Sequence, residues 1–395
     1  MVKGRMIQGA RAMAEMTALC RPQVISAYPI TPQTLIVEEL AQIVADGDLK
    51  TEFINVEGEH SAASLVLGAS GAGVRVFTCS SSQGILLMCE VIFNIAGMRL
   101  PVVMICVNRA VSAPLNIWND QQDSMTVRDS GWIQLYAENN QETCDLLLQA
   151  YRIAEDHRVM LPVMVCADGY VLPHAYEAVD LPSQEETDAF LPPFQPLYYL
   201  DPDNPLTLGA YADPEKYMEV RYMIHRAMEM SIPIIEDVAR DFSSAFGRHS
   251  WGLFEKYSVD DATTVIVAMG SVAGTIKDVV DELRAQGQKV GLLRLVTYRP
   301  FPKEAVCQAL SGAKEIIVME KAVSLGSSGP LATEIAAVMQ GHPARPSISG
   351  FIMGLGGRDV TLNDIRTAIS KAQQHPVDAD FVALKEDLEL EGISG

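Results

Sequence analysis

The sequence predicts an α/β protein whose first part is built on a parallel sheet and whose last third repeats that plan on a smaller scale. Three observations carry this expectation. Apolar runs of strand length, "QVISAY", "RVFTCS", "PVVMICVN" and "PVMVCADG", recur along the first part. Segments of helical period, among them "TLIVEELAQIVADG" and "QETCDLLLQAYRIAEDH", lie between them. After a proline-rich break, "TTVIVAMG", "KVGLLRLV" and "EIIVMEKA" renew the strand signal. Uninterrupted apolar runs suit strands buried on both faces, as in a parallel sheet covered by helices. In such sheets ligands bind beyond the C-terminal strand ends.

The first such end is "AYPITPQT", residues 27–34, where Pro29 and Pro32 stop the strand. A β-to-α turn with Thr34 near a helix N-terminus accounts for the prolines. The same turn presents Tyr28 and Thr31 to a ligand. Next, "NVEGEHSAASLVLGASGAG" brings Glu57, Glu59 and His60 into a helix rich in small residues. Small side chains permit close approach of another helix or of a cofactor, and acids favour the positive helix start, so packing and binding both explain the pattern. A carboxylate buried there needs a hydrogen-bond partner. "CSSSQGILLM" reads as a helix start with an N-cap serine, or as hydroxyls and amides facing the crevice. "VNRAVSAPLNIWNDQQDSMTVRDSGWIQ" is the least periodic stretch, with Arg109 just past a strand. A guanidinium there is either a surface charge or a forked anchor for a carboxylate. Asn116, Trp118, Asn119 and Asp120 then form a loop able to close over the site and exclude water.

Residues 180–215 break the rhythm with many prolines and read as a long irregular connection inside a first domain spanning 1–250. A helical stretch runs on to about residue 257, and a second α/β domain spans 258–385. "GLGGRD", 354–359, reads as a turn.

Composition narrows the function classes. The formal net charge of −20 argues against a nucleic-acid partner, whose phosphates would be repelled. The first residues lack the apolar core of a signal peptide, and no stretch has the ~18 apolar residues of a membrane span, so a cytoplasmic protein is expected. Seven scattered cysteines without a C-x-x-C pair suit reduced, buried thiols rather than a local iron-sulfur or zinc site. Histidine spacing offers no metal motif, and no serine or cysteine sits in a nucleophile elbow. Neither G-x-x-x-x-G-K-[ST] nor a strand-borne G-x-G-x-x-G is present. A cofactor is therefore expected to carry the chemistry.

Taken in order, "AYPITPQT", "VEGEHSA", "SSSQG", "VNRAVSAPLNIWNDQQDSM" and "GLGGRDVT" resemble the α subunit of the 2-oxoacid:ferredoxin oxidoreductases, in particular the four-subunit pyruvate type. The resemblance spans about residues 10–370. It implies a thiamine-diphosphate pyrimidine-binding domain followed by a domain similar to the transketolase C-terminal domain. It implies oxidative decarboxylation of pyruvate to acetyl-CoA, as in anaerobic metabolism, with a branched-chain or aromatic 2-oxo acid as an alternative substrate. A non-catalytic scaffold subunit is the alternative of another class. In the family, a partner β subunit holds the diphosphate and Mg²⁺ through G-D-G...N, which this chain lacks. The [4Fe-4S] clusters are likewise implied in partners, which include a γ subunit and a ferredoxin-like δ subunit. The implied assembly is a dimer of heterotetramers using coenzyme A and ferredoxin, with no metal in this chain. Carried over by position, Glu59 matches the glutamate that meets N1′ of the aminopyrimidine and so promotes loss of the C2 proton. Thr31 matches the threonine at the substrate carboxylate, and Arg109 matches the arginine that binds the 2-oxo acid. Tyr28 is expected on the same wall, while Glu57 matches no functional residue. A related oxalate enzyme has arginine at the Thr31 position, so threonine here speaks for a monocarboxylate.

Overall fold

In the computed structural model, residues 4–385 are described, so residues 1–3 of the expected 1–250 domain lie outside the described residues. Each long apolar run forms a strand. In spatial order the first sheet contains Thr297–Arg299, Ile133–Tyr136, Val163–Asp168, Val103–Asn108, Val76–Ser80, Val24–Ala27 and Glu52–Asn55. Neighbouring strands are parallel except for Thr297–Arg299, which comes from the C-terminal part of the chain and pairs antiparallel with Ile133–Tyr136. The second sheet orders Asp380–Phe381, Ser347–Ile352, Glu315–Glu320, Thr264–Met269, Val290–Leu295 and Phe254–Tyr257, with only the last strand antiparallel. A small antiparallel pair, Arg5–Gln8 with Tyr176–Val179, stands apart.

The strands that apolar runs do not announce are mostly at edges or short. Glu52–Asn55 is largely exposed, and Thr297–Arg299 has three residues. Ile133–Tyr136 is buried but has only four residues and follows the irregular polar stretch. The connection at 180–215 holds one short helix, Gln184–Phe190, opened by a Ser183/Glu186 capping box, and is otherwise irregular. Beyond it, Leu200 N–H donates to Gly71 O at 2.8 Å, so the segment runs across the small-residue helix Glu59–Gly71.

From Val24–Ala27 the chain passes to Glu52–Asn55 on one side and returns to Val76–Ser80 on the other. Strand order reverses here, which opens a crevice beyond Ala27 and Ser80. The two sheets are not independent layers. One apolar cluster contains Met104, Trp132 and Tyr136 of the first part together with Val267, Leu295 and Tyr298 of the second. Tyr136 and Tyr298 meet edge to face, ring centroids 6.1 Å apart.

Polar groups join the sheets at their strand ends. Asp168, at the end of Val163–Asp168, is buried and accepts from Lys321 Nζ at 3.1 Å, Gln121 Nε2 at 3.1 Å and Ser271 N–H at 3.0 Å. Burial alone raises the pKa of a carboxyl, but the Lys321 charge and the surrounding donors hold Asp168 below the usual range. A second network has buried Arg294 donating to Glu142 at 2.8 and 2.9 Å and to Glu255 at 2.7 Å. The first network crosses from one sheet to the other, and the second ties the second sheet to the helix Asn140–Ala154 of the first part. Lys321→Met strands the Asp168 charge and is expected to cost about 3–5 kcal/mol. A lowered Tm of the assembly, partly recovered by adding Asp168→Asn, is the expected result; an unchanged Tm contradicts it.

Candidate active site

Strand reversal brings three connections together: residues 28–33 after Ala27, 81 after Ser80, and 109–121 after Asn108. Gln33, buried just before helix Thr34–Ala45, braces the first. Its Nε2 donates to Cys79 O at 2.8 Å and its Oε1 accepts from Ile30 N–H at 3.1 Å. The Pro32 ring packs on Gly169, where a Cβ would stand 3.0 Å from Pro32 Cγ and 2.2 Å from Asn108 O. Thr31 and Tyr28 are exposed on the outer side of this braced turn.

Asp123 organises the other two connections. Fully buried, it accepts from Ser82 N–H and Arg109 N–H at 2.9 Å, and from Asn108 Nδ2 and Ser124 N–H at 2.8 Å. Burial raises its pKa while these donors pull it down. Each short link from strand to loop thus ends on one carboxylate. The expected serine cap takes another form: Ser81 begins the helix Ser82–Leu87, but its hydroxyl donates across to Val107 O at 2.6 Å.

Arg109 is 6% exposed, so it is no surface charge. Its Nη1 donates to Thr31 O and its Nε to Asn116 O, both at 2.8 Å. Among the described residues no carboxylate pairs with the guanidinium, because Asp123 takes only the main-chain N–H. Nη2 finds no acceptor among the described residues. Burial lowers the Arg109 pKa and the Asp123 charge opposes the shift, but an arginine stays charged in either case.

Glu59 opens the helix Glu59–Gly71, consistent with a carboxylate's preference for the positive helix end. It is 7% exposed, yet no described residue donates a hydrogen bond to its carboxylate. Gly84 leaves the room it occupies: a Cβ there would lie 2.8 Å from Glu59 Cγ, 2.9 Å from Glu59 Oε1 and 2.2 Å from Ser80 Oγ. That Ser80 hydroxyl is itself buried, with no hydrogen-bond partner among the described residues. Glu57, by contrast, is exposed and accepts from Ser61 Oγ, which lowers its pKa.

The loop that follows Arg109 is tied to the second sheet. Lys321 Nζ donates to Asn119 Oδ1 at 2.8 Å, and Gln121 N–H donates to Lys321 O at 2.8 Å. "GLGG", residues 354–357, is a turn with Gly354, Gly356 and Gly357 at positive φ. Gly356 N–H donates to Asp120 Oδ2 at 3.1 Å. Burial pushes the Asp120 carboxyl up to about 6.

Against known proteins, residues 15–240 match a family model described as pyruvate flavodoxin/ferredoxin oxidoreductase, thiamine diphosphate binding. Residues 262–365 match the pyruvate:ferredoxin oxidoreductase core domain II. The chain belongs to this oxidoreductase family. Among curated relatives, the pyruvate synthase subunit PorA of Methanothermobacter thermautotrophicus is 50% identical over 98% of this chain and 99% of its own length. The corresponding subunit of Methanosarcina barkeri is 48% identical over 97% of both chains. The ketoisovalerate oxidoreductase subunit VorA of Pyrococcus abyssi is 45% identical over 92% of this chain and 91% of its own. A solved 2-oxoglutarate:ferredoxin oxidoreductase from Magnetococcus marinus, 18% identical, shares the fold with a TM-score of 0.69 over 94% of this chain and 65% of that one. The membership bears out the expected thiamine-diphosphate-dependent oxidoreductase with its two α/β parts. Among the described residues no helix is long and apolar enough to cross a membrane.

Of the residues singled out in sequence, Thr31 and Arg109 come into direct contact, and Glu59 lies against Gly84 beside Ser80, at the end of the neighbouring strand. Gln33, Asp123, Asp168 and Lys321 escape sequence reasoning. Gln33 and Asp123 lie inside recognisable motifs, but Gln33 braces Cys79, 46 residues on, and Asp123 reaches back 41 residues to Ser82. Gly84 closes the "SSSQG" motif, whose pattern alone does not show the carboxylate beside it.

Proposed function

We propose that this chain is the catalytic α subunit of a coenzyme-A-acylating pyruvate:ferredoxin oxidoreductase, with Arg109 and Thr31 receiving the oxo acid and Glu59 receiving the pyrimidine of thiamine diphosphate. One observation carries the reading above the others: Arg109 is a buried guanidinium with no acidic partner among the described residues, fixed beside Thr31 at a strand end. An unpaired buried charge costs several kcal/mol, and an anionic ligand relieves that cost. A scaffold subunit has no need of such a group.

The chain's residues fit the cofactor. Glu59 is a buried carboxylate without a donor, which suits a ring nitrogen that must be protonated or hydrogen bonded. The chemistry thiamine diphosphate supplies when bound is an electron sink for the carbon–carbon bond that releases carbon dioxide. Glu59 holds a proton at N1′ of the pyrimidine. Arg109 meets the substrate carboxylate with Nη2, and Thr31 adds its hydroxyl from the braced turn, so the departing carboxylate is oriented before reaction. Tyr28 forms the outer wall. Monocarboxylate oxo acids suit one guanidinium and one neutral hydroxyl.

Names of the relatives support pyruvate, and the 45% identical ketoisovalerate subunit supports a branched-chain oxo acid as the second reading. Mg²⁺ and the diphosphate are assigned to a β subunit, and [4Fe-4S] clusters to γ and ferredoxin-like δ subunits, because this sequence has no G-D-G and no clustered cysteines. A dimer of such heterotetramers, passing electrons to ferredoxin in the cytoplasm, completes the proposal; the free, mostly buried cysteines suit that reducing compartment. Residues 1–250 and 258–385 are taken as its two domains.

Glu59→Gln in the reconstituted complex is expected to leave assembly intact and abolish exchange of the cofactor's C2 proton. Exchange at the wild-type rate would remove Glu59 from the mechanism. Arg109→Ala is expected to raise the KM for pyruvate by the equivalent of about 2–5 kcal/mol. A KM that does not move would exclude its role as carboxylate anchor.

A further inference from the structure

Arg109 is aimed by two main-chain oxygens, and one of them belongs to a residue that the second sheet holds in place. Asn116 O accepts from Arg109 Nε at 2.8 Å. The side chain of the same residue spans the gap between the two halves of the chain. Asn116 Nδ2 donates to Gly356 O at 3.0 Å, and Asn116 Oδ1 accepts from Trp118 N–H at 2.7 Å. Trp118 O in turn accepts from Ala110 N–H at 3.0 Å, closing the loop on the residue after Arg109. On the far side, Gly357 N–H donates to Asn119 O at 2.6 Å.

Such an approach requires bare backbone in the turn. A Cβ on Gly356 would stand 2.6 Å from Asn116 Nδ2, and one on Gly357 would stand 2.3 Å from Trp118 Cβ. Both glycines are also at positive φ, 60° and 80°, where a side chain is strained. Sequence, conformation and contact agree: the turn exists in this form because the Asn116 loop lies on it. We propose that Asn116 is a positioning residue for the oxo-acid site, and that the 354–357 turn acts through it to set the direction of the Arg109 guanidinium.

The physical reason is the angular demand of a forked donor. With Nη1 on Thr31 O and Nε on Asn116 O, rotation of the guanidinium about its long stem is blocked, and Nη2 points to one place. Without the Asn116 side chain the Asn116 carbonyl remains, but its link to the second sheet is gone. The Asn116 side chain is engaged by Gly356 O and Trp118 N–H, and it makes no hydrogen bond to Arg109 or Thr31 among the described residues.

This inference rests on the carboxylate role given above to Arg109, and the experiment separates the two. Pyruvate KM and kcat are measured on the reconstituted complex for Asn116→Ala, Gly357→Ala, Arg109→Ala and the Asn116→Ala/Arg109→Ala pair, and pyruvate binding is measured by calorimetry on the complex without cofactor. Asn116→Ala is expected to raise KM and weaken binding by about tenfold, the scale of one hydrogen bond to a charged group, with kcat within about twofold. Gly357→Ala, which removes no group that hydrogen-bonds Arg109, is expected to do the same by displacing the loop at Trp118. In the Arg109→Ala background, Asn116→Ala is expected to have no further effect, whereas a loss of fold integrity would still show there. If Arg109→Ala raises KM but Asn116→Ala and Gly357→Ala do not, the positioning role is overturned and the anchor stands. An equal, additive loss in both backgrounds also overturns it. If Arg109→Ala itself leaves KM unchanged, anchor and positioning role fall together.

Discussion

Everything at the candidate site hangs from the meeting of Asp168 and Lys321 between the two sheets. Strands of both sheets deliver their C-terminal ends to this point: Asp168 from the first, Ser271 and Lys321 from the second. A buried ion pair is weak evidence of stability, because desolvation consumes most of the attraction. Its value here is in register. Lys321 also donates to Asn119, and its carbonyl takes Gln121 N–H, so the ion pair and the polar loop are positioned by the same residue. Slippage between the sheets would move the loop, and with it the atoms that aim Arg109.

A site that receives an anion must keep a cation unpaid by the protein's own acids, and this chain has acids in excess, with a formal charge of −20. The solution is visible in the partners. Asp123, the buried carboxylate whose charge acts on Arg109, is saturated by main-chain and amide donors and meets Arg109 only through its N–H. Two neutral carbonyls hold the guanidinium without neutralising it. Glu59 shows the mirror arrangement, a carboxylate in a crevice to which no described donor is offered. Opposite unmet demands of this kind, held near strand ends by rigid turns, are what the proposed reaction on a charged substrate with a basic cofactor ring would require.

Much of this was legible in the sequence, and the parts that were not share a cause. Long apolar runs report burial on both faces, which a strand imposes along its own length, so Val103–Asn108 and Thr264–Met269 could be found locally. Short or edge strands such as Glu52–Asn55 and Thr297–Arg299 owe their state to neighbours and carry little pattern of their own. Thr31 and Arg109 stood out as polar residues just past a strand end and Glu59 as a carboxylate entering a small-residue helix, while their expected roles came from the family resemblance. "GLGG" looked like an ordinary turn because its partner Asn116 is 240 residues away. The same distance hides Lys321, whose acceptors Asn119 and Asp168 lie 202 and 153 residues off.

The central claim is that Arg109 and Glu59 meet the substrate and the cofactor. A density map of the reconstituted complex, with thiamine diphosphate and an acylphosphonate standing in for the oxo acid, tests it directly. The account predicts Arg109 Nη2 within about 3 Å of a phosphonate oxygen and the Glu59 carboxylate at a similar distance from the pyrimidine N1′. A map in which the phosphonate rests on a cation of another subunit, with Arg109 paired to a partner's carboxylate, would contradict it.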